Sequence, residues 1–272
     1  MEEHAELIVK KLLPSPLVSI ITPTQNREFF LPLVFSCVQS QNWPSIEWLV
    51  EDSSEQPSKF MASLSDPRIH YTHDSTIRPL GEKRNRLIHR AKGEYIVHFD
   101  DDDYYAPQYI TFMIEKAIAG NFSFVKLSAF FIFNKLDSTY SYWDLQMCFG
   151  IHLAWSRGML RLRHLTEKDN LGPAEIHLGF GFSYAYKRSI WKDNKFPAIN
   201  WNEDWGFAKE TSKRHPTLLF PDRTGLCLHM LHGKNSSSCF PQFLIPPFIV
   251  TQFFPSSGIY MKYVKDMDRL ST

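Results

Sequence analysis

The order of apolar and helical stretches predicts an α/β protein built on a doubly wound, mostly parallel sheet, and three observations carry that expectation. Up to Gly120 the segments alternate as strand, helix, strand, strand, helix, strand, helix. The segment that starts at Gly93 is a continuous apolar run, as a buried strand of a parallel sheet is. Two strand candidates run into acidic turns, Glu51-Asp52-Ser53-Ser54 and Asp100-Asp101-Asp102-Asp103. In open α/β sheets, ligands gather at those carboxyl ends.

Leu17 to Thr22 follows Pro14 and Pro16 and reads as the first buried strand, with Pro23 to Asn26 as its turn. Phe30, Leu31, Val34, Phe35 and Val38 then recur at helical spacing until Asn42-Trp43-Pro44. Ile46 to Glu51 is the second strand and Ile69 to Thr72 a weaker third. Glu82 to Ala91 carries good helix formers and stops at Lys92-Gly93. Gly93 to Phe99 is the central strand, and Pro107 introduces a helix over Tyr109 to Ala119. Beyond Asn121 the texture changes. Phe124 to Phe133 and Tyr140 to Leu145 resemble antiparallel strands, whereas Ile151 to Gly172 shows no clear period. Gly179 to Tyr186 reads as a strand, Glu203 to Lys213 as a helix, and Leu218 to Phe220 and Leu226 to Met230 as short strands.

Four consecutive carboxylates at one strand tip repel one another, more so as each loses water. A hard cation such as Mg²⁺ or Mn²⁺ relieves that repulsion; a solvated acidic turn is the alternative. With 272 residues the chain can bury one large core, and a formal charge of +1 argues against nucleic acid as a partner. Cys37, Cys148, Cys227 and Cys239 show no metal or disulfide spacing and read as free thiols. Met1 to Lys11 lacks the apolar core of a signal peptide, and no run is long enough to span a bilayer. A cytoplasmic protein is expected. The apolar tail from Phe240 to Tyr263, with Lys262, Lys265 and Arg269 adding positive charge, is expected to fold back over the acceptor side, with weak peripheral membrane contact through the tail as the second reading.

In order along the chain, Val18-Ser19-Ile20-Ile21-Thr22-Pro23-Thr24, Glu51-Asp52-Ser53-Ser54, Gly81-Glu82-Lys83-Arg84-Asn85, Ala91-Lys92-Gly93-Glu94-Tyr95-Ile96, the aspartate run and Glu203-Asp204 resemble the family 2 glycosyltransferases of the GT-A fold. The resemblance covers roughly Val18 to Asn235. It implies a single domain with an N-terminal extension (1–13), a nucleotide-sugar-binding half (14–120), an acceptor-binding and catalytic half (121–235) and a C-terminal tail (236–272). It also implies a metal-dependent, inverting glycosyltransferase that uses a UDP- or dTDP-linked sugar, an acceptor hydroxyl of a glycan or glycoconjugate, and Mn²⁺ or Mg²⁺.

Residue by residue, the family's Asp-x-Asp falls on Asp100 and Asp102, with Asp102 the direct metal ligand and Asp100 shared between metal and donor. Asp101 and Asp103 are then indirect or solvated groups. Asp52 matches the acid that reads a pyrimidine ring N–H; the bland reading is a turn-forming side chain. Thr22 would offer a hydroxyl or main-chain contact beside it, and Arg84 would face the diphosphate or else be an exposed helix charge. Asp204 is the candidate general base, with Glu203 orienting it, although two acids also suit the first turn of any helix. His232 is expected to complete the metal shell in preference to His229, and His98 to be structural. Two other classes share some of these features, a nucleotidyltransferase and a non-catalytic carbohydrate- or divalent-ion-binding protein. The first should carry a Gly-rich basic loop where this chain has Pro23-Thr24-Gln25-Asn26.

Overall fold

Strand β1 (Val18–Thr24) is buried from Val18 to Thr22, so both of its edges are used. It pairs in parallel with β2 (Ile46–Asp52) on one side and with β4 (Tyr95–His98) on the other. β3 (Ile69–His73) continues the sheet beyond β2, again in parallel. The register sets Thr24 opposite Asp52 and Ile21 opposite His98, which brings the carboxyl ends of three strands to one edge. Helices α1 (Leu31–Gln39), α2 (Lys59–Ala62), α3 (Leu80–Arg90) and α4 (Tyr109–Ala119) make the connections. The computed structural model describes residues 15–264 apart from 148, 157, 158, 167, 169–175, 233, 234, 236–238, 259 and 263.

The second half is organised by β6 (Phe124–Asn134), whose eleven residues are all buried. Such a strand cannot stop at an open edge, and its neighbours change along its length. β10 (Ala185–Lys187) and β11 (Thr217–Pro221) pair with its first part, and β7 (Thr139–Asp144) and β12 (Cys227–Leu231) with its last. β10 also lies antiparallel to β4, joining the two halves into one sheet of order β13-β7-β6-β10-β4-β1-β2-β3, with β13 (Phe243–Ile245) at the edge. β12 further pairs with the two residues of β5 (Tyr104–Tyr105), directly after the aspartate run. That short ladder places the histidines of β12 and its exit beside the aspartates.

Two stretches differ from expectation. The stretch without a period contains β8 (Gly150–Ser156) and β9 (Met159–Leu165), a hairpin paired only with itself. Ile151 and Leu162 are exposed there, so apolarity does not follow burial and no period shows. The strand expected over Gly179 to Tyr186 is confined to β10. Before it lie two short 3₁₀ turns, Ile176–Leu178 and Gly181–Ser183, with Phe180 between them at φ 64°. The turn is favoured because the Gly181 N–H is directed at Asp204. The tail, including α7 (Pro247–Phe253), folds back as the first reading expected, burying Val250, Phe254, Tyr260, Met261 and Val264. The remaining helices are α5 (Arg188–Asp193) and α6 (Glu203–Ser212). Cys37, Cys227 and Cys239 are free and buried, and Cys148 lies outside the described residues. No helix among the described residues is long and apolar enough to cross a membrane.

β12 is aimed by a turn built on Asp222, which is fully buried. Its two carboxylate oxygens accept backbone N–H bonds from Thr224, Gly225, Leu226 and Cys227 at 2.7–3.1 Å. Burial pushes the Asp222 carboxyl up to about 6, against the lowering effect of those four donors. Asp222→Ala strands buried N–H groups and should destabilise the fold by about 3 kcal/mol. The urea midpoint should fall with no change in slope; an unaltered midpoint would show that the turn forms without its carboxylate.

Candidate active site

The ends of β1 and β4 and the first turn of α3 enclose a cleft of about 300 Å³. Arg27, Arg78, Lys83 and Arg84 line it together with Asp100, Asp101 and Asp102, so charges of both signs face one space. That mixture suits an anionic ligand accompanied by a cation better than either alone.

The aspartates are individually held. Asp100 has a side chain 32% exposed, and its Oδ1 stands 3.7 Å from Arg84 Nη2. Burial pushes its carboxyl up to about 7; Arg84 opposes the shift, and Asp103 and Asp102 reinforce it. Asp101 accepts a 2.6 Å hydrogen bond from Thr24 Oγ1. Asp102 Oδ2 lies 2.9 Å from His232 Nε2 and 3.4 Å from Arg27 Nη1. Burial disfavours its ionised form, but His232 and Arg27 outweigh burial and hold its pKa below the ordinary value. Asp103 is fully buried, 2.9 Å from His229 Nδ1, and accepts the Met230 N–H at 2.8 Å. Asp101 and Asp103 are therefore internal partners, which fits the indirect role expected of them and not the solvated one. The tail reaches the same loop, where the Tyr260 hydroxyl donates to the Asp102 carbonyl at 2.8 Å.

Arg84 joins the two acidic groups that the sequence separates by about a hundred residues. It is buried, ion-paired to Glu203, and its other nitrogen faces Asp100. Burial alone would lower the Arg84 pKa, but Glu203, Asp100 and Asp204 together raise it. Glu203 is buried as well, which raises its carboxyl despite Arg84. Asp204 opens α6 and is only partly buried. Its Oδ2 accepts the Gly181 N–H at 2.8 Å and its Oδ1 the Trp205 N–H at 2.7 Å. Two glycines permit this approach. A Cβ on Gly81 would stand 1.8 Å from the Pro197 carbonyl oxygen, and one on Gly181 would stand 2.9 Å from Asp204 Cβ and 3.2 Å from the Arg84 guanidinium.

Other expected positions fare differently. Thr22 is fully buried, donates to the Phe99 carbonyl at 2.8 Å and accepts from Trp48 Nε1 at 2.9 Å, so its hydroxyl is not offered to a ligand. Thr24, two residues on, lines the cleft instead. Asp52 takes the turn conformation, with Oδ1 accepting from Ser54 N and Ser54 Oγ and Oδ2 accepting from the Tyr71 hydroxyl. His232 stands behind Asp102, its Nε2 already within 2.9 Å of Arg27 and Asp102. His229 lines the cleft, and its Nε2 is buried without a hydrogen-bond partner among the described residues. Burial would lower its pKa, but Asp103 outweighs that and holds it well above the ordinary imidazole value. Each of the two histidines thus meets one aspartate of the run, His232 through Asp102 and His229 through Asp103. His98 is structural as expected, buried with Nε2 3.1 Å from the Tyr186 hydroxyl.

Sequence reasoning missed Arg27, Arg78 and Lys83. The first two lie in loops without a pattern. Lys83 adjoins Arg84 and was legible as a second cation on the same helical turn. It is buried and donates to the Thr24 carbonyl at 3.3 Å. Burial lowers its pKa, against Asp52 and Asp101.

The donor set suits a hard divalent ion. Asp100 and Asp102 present carboxylates to the cleft, and His232, the histidine expected to complete the shell, has its Nε2 2.9 Å from Asp102 Oδ2. No group of three such side chains already stands at metal-holding geometry among the described residues. Mg²⁺ and Mn²⁺ sites commonly need only one or two protein carboxylates, with phosphate oxygens and water as the remaining ligands.

Residues 19–193 match the family described as Glycosyl transferase family 2. WfgD of Escherichia coli, a UDP-Glc:alpha-D-GlcNAc-diphosphoundecaprenol beta-1,3-glucosyltransferase, is 27% identical over 68% of this chain and 73% of its own. The putative colanic acid biosynthesis glycosyl transferase WcaA of Escherichia coli (strain K12) is 36% identical over 34% of this chain, and the match spans only 35% of the relative's length. Among solved structures, S. aureus TarS 1–349 in complex with UDP-GlcNAc superposes with a TM-score of 0.57 at 15% identity, covering 79% of this chain and 59% of that one. The mannosyltransferase PcManGT from Pyrobaculum calidifontis, in complex with GDP-Man and Mn²⁺, gives 0.56 at 15%, covering 84% and 63%. These likenesses are of fold, the GT-A arrangement expected from the sequence.

The Arg84–Glu203 pair yields a stability test. Glu203→Ala leaves a buried guanidinium without its closest partner and should destabilise the protein by about 3 kcal/mol, whereas Arg84→Met with Glu203→Leu should recover most of that loss. Equal destabilisation of the single and double variants, read from urea unfolding, would show that the two side chains act separately.

Proposed function

The chain belongs to the glycosyl transferase family 2, and on that premise we propose an inverting, metal-dependent transfer of a sugar from a nucleoside diphosphate to an acceptor hydroxyl of a glycan or glycoconjugate. The observation that carries the proposal is the shared guanidinium of Arg84. It stands between Asp100, on the donor side, and Glu203, whose neighbour Asp204 has the chemistry of a base.

The diphosphate would lie in the cleft against Lys83, Arg27 and Arg84. A divalent cation held by Asp102 and Asp100, with His232 as the nitrogen donor, would neutralise charge on the leaving group. Asp52 would read the base. A carboxylate has about four acceptor directions, and its three present contacts leave one for a pyrimidine ring N–H. Thr22 supports this wall from behind through Trp48 and Phe99. Asp204 would take the proton of the acceptor hydroxyl as the acceptor oxygen bonds to the anomeric carbon. The bond from that carbon to the phosphate oxygen breaks on the opposite face, so configuration inverts in one displacement. Glu203 and Arg84 orient the acid pair.

Solved neighbours captured with UDP-GlcNAc, and with GDP-Man and Mn²⁺, support the donor class and the use of a divalent ion. The diphosphoundecaprenol in the name of WfgD supports a lipid-linked glycan as acceptor.

Asp204→Asn should lower transfer by about 10²–10⁴-fold while the melting point still rises with donor plus Mn²⁺ as in the unaltered protein. Full transfer by that variant removes Asp204 from the role of base. Chelation with EDTA should abolish the donor-dependent rise in melting point, and persistence of the rise would show donor binding without a metal.

A further inference from the structure

One charged side chain of the core has no part in the site described above. Lys126 is the only ionisable residue of β6, and it is fully buried. Its Nζ donates to the His177 carbonyl at 2.5 Å, and no carboxylate touches it among the described residues. Asp204 of α6 is the one charged group among them whose field reaches the amine. Arg84, the other buried cation near Asp204, has Glu203 in contact and Asp100 at 3.7 Å. An amine without such a partner costs stability. Burial pushes the Lys126 amine down to about 7, with Asp204 opposing the shift. A methionine would fill much the same volume without desolvating a charge. Ionisable groups held at such a cost gather at functional sites.

The carbonyl that Lys126 holds belongs to the turn that seats Asp204. His177 lies in the first 3₁₀ turn, where the Ile176 carbonyl accepts the Gly179 N–H at 3.0 Å and the Leu178 carbonyl accepts the Tyr184 hydroxyl. Phe180 follows at φ 64°, and the Gly181 N–H then reaches Asp204 Oδ2 at 2.8 Å. A phenylalanine in the left-handed region is strained and keeps that conformation only while its flanks are pinned. Lys126 pins one flank through His177, and Asp204 pins the other through Gly181.

We propose that Lys126 is a positioning residue for Asp204: from a rigid strand it fixes the 176–181 turn that binds the carboxylate, and it supplies a positive charge behind it. The charged amine holds the His177 carbonyl by a charge-assisted bond and attracts Asp204. The neutral amine keeps only a weaker bond to the carbonyl. The hold on Asp204 therefore relaxes as the amine loses its proton. That Asp204 acts as a base rests on the proposed transfer; its coupling to Lys126 does not.

The coupling is read without substrate, from side-chain NMR signals of the full chain carrying isotope-labelled lysine, with Lys126→Met identifying the Lys126 signal. One amine should lose its proton near neutral pH. In Asp204→Asn the same amine should become about tenfold more acidic, because the carboxylate that favours its charged form is gone. A side chain that merely fills the core and bonds His177 would not respond to that substitution. Stability gives a second reading. The unfolded amine keeps its proton to about pH 10.4, so above about pH 7 the unfolded chain binds one proton more than the folded chain. The folding constant of the unaltered protein, relative to Lys126→Met, should then rise about tenfold per pH unit up to about pH 10. Where Asp204→Asn lowers transfer, Lys126→Met should lower turnover about tenfold at about pH 6 and little at about pH 9, with the donor KM unchanged, because at the higher pH the unaltered amine is already neutral. An amine that titrates in the ordinary lysine range, or one unmoved by Asp204→Asn, overturns the inference. So does a turnover ratio that is the same at both pH values. A coupled titration together with full transfer by Asp204→Asn would instead overturn the base reading and, with it, the purpose assigned to Lys126.

Discussion

Four carboxylates in succession at the end of one buried strand are the constraint to which the rest of this molecule answers. They cannot all lose water and stay ionised without partners, and the partners come from distant parts of the chain. Thr24 at the end of β1 meets Asp101, Arg84 from α3 meets Asp100, and Arg27 from the first loop meets Asp102. His229 on β12 meets Asp103, His232 beyond it meets Asp102, and the tail supplies Tyr260 to the Asp102 backbone. The elaborate pairing of β6 makes sense in this light. It is the strand against which β12 must lie to bring its histidines up to the acidic loop.

A single buried guanidinium extends the same logic to the opposite wall. Arg84 faces one carboxylate from the aspartate run and another from the start of α6. Moving α6 away would leave that charge buried and underpaired, so the distance between the two acid clusters is held by electrostatics as well as by packing. The glycines at 81 and 181 are the steric counterpart. Each occupies a place where a β-carbon would collide with the opposing wall.

Legibility of the fold in the sequence follows burial. Strands β1, β2 and β4 are covered on both faces and were located by their apolar residues, the half-exposed β3 gave a weaker signal, and α4 was placed at its observed ends. The hairpin at 150–165 was opaque because its apolar residues include exposed ones. The extended reading of Gly179 to Tyr186 failed because a tertiary hydrogen bond to Asp204 favours a turn there over local strand propensity. Within the site, residue type located the acids, but their partners were hidden. Nothing local to His229 and His232 says which aspartate each meets, and nothing local to Thr22 reveals that Trp48 and Phe99 take its hydroxyl. Arg27 and Arg78 sit in irregular loops where charge has no period to follow.

The charge balance in the cleft bears on the proposed cation. Arg78 is answered by Asp74 at 2.7 Å, and Arg84 by Glu203. The positive charge they present to a ligand is reduced accordingly, while Asp100, Asp101 and Asp102 remain in the wall. A diphosphate entering such a space meets carboxylates as well as cations, and unscreened carboxylates would repel it. Protonation could relieve one acid, and Asp100, with a carboxyl pushed up to about 7, is the group best placed for that. A proton, however, removes only one negative charge and leaves the leaving group's own charge unanswered. A divalent ion seated between the aspartates and the phosphate oxygens relieves both repulsions together. For that reason the acidic run and the basic loops fit one nucleotide-binding site better than two separate functions.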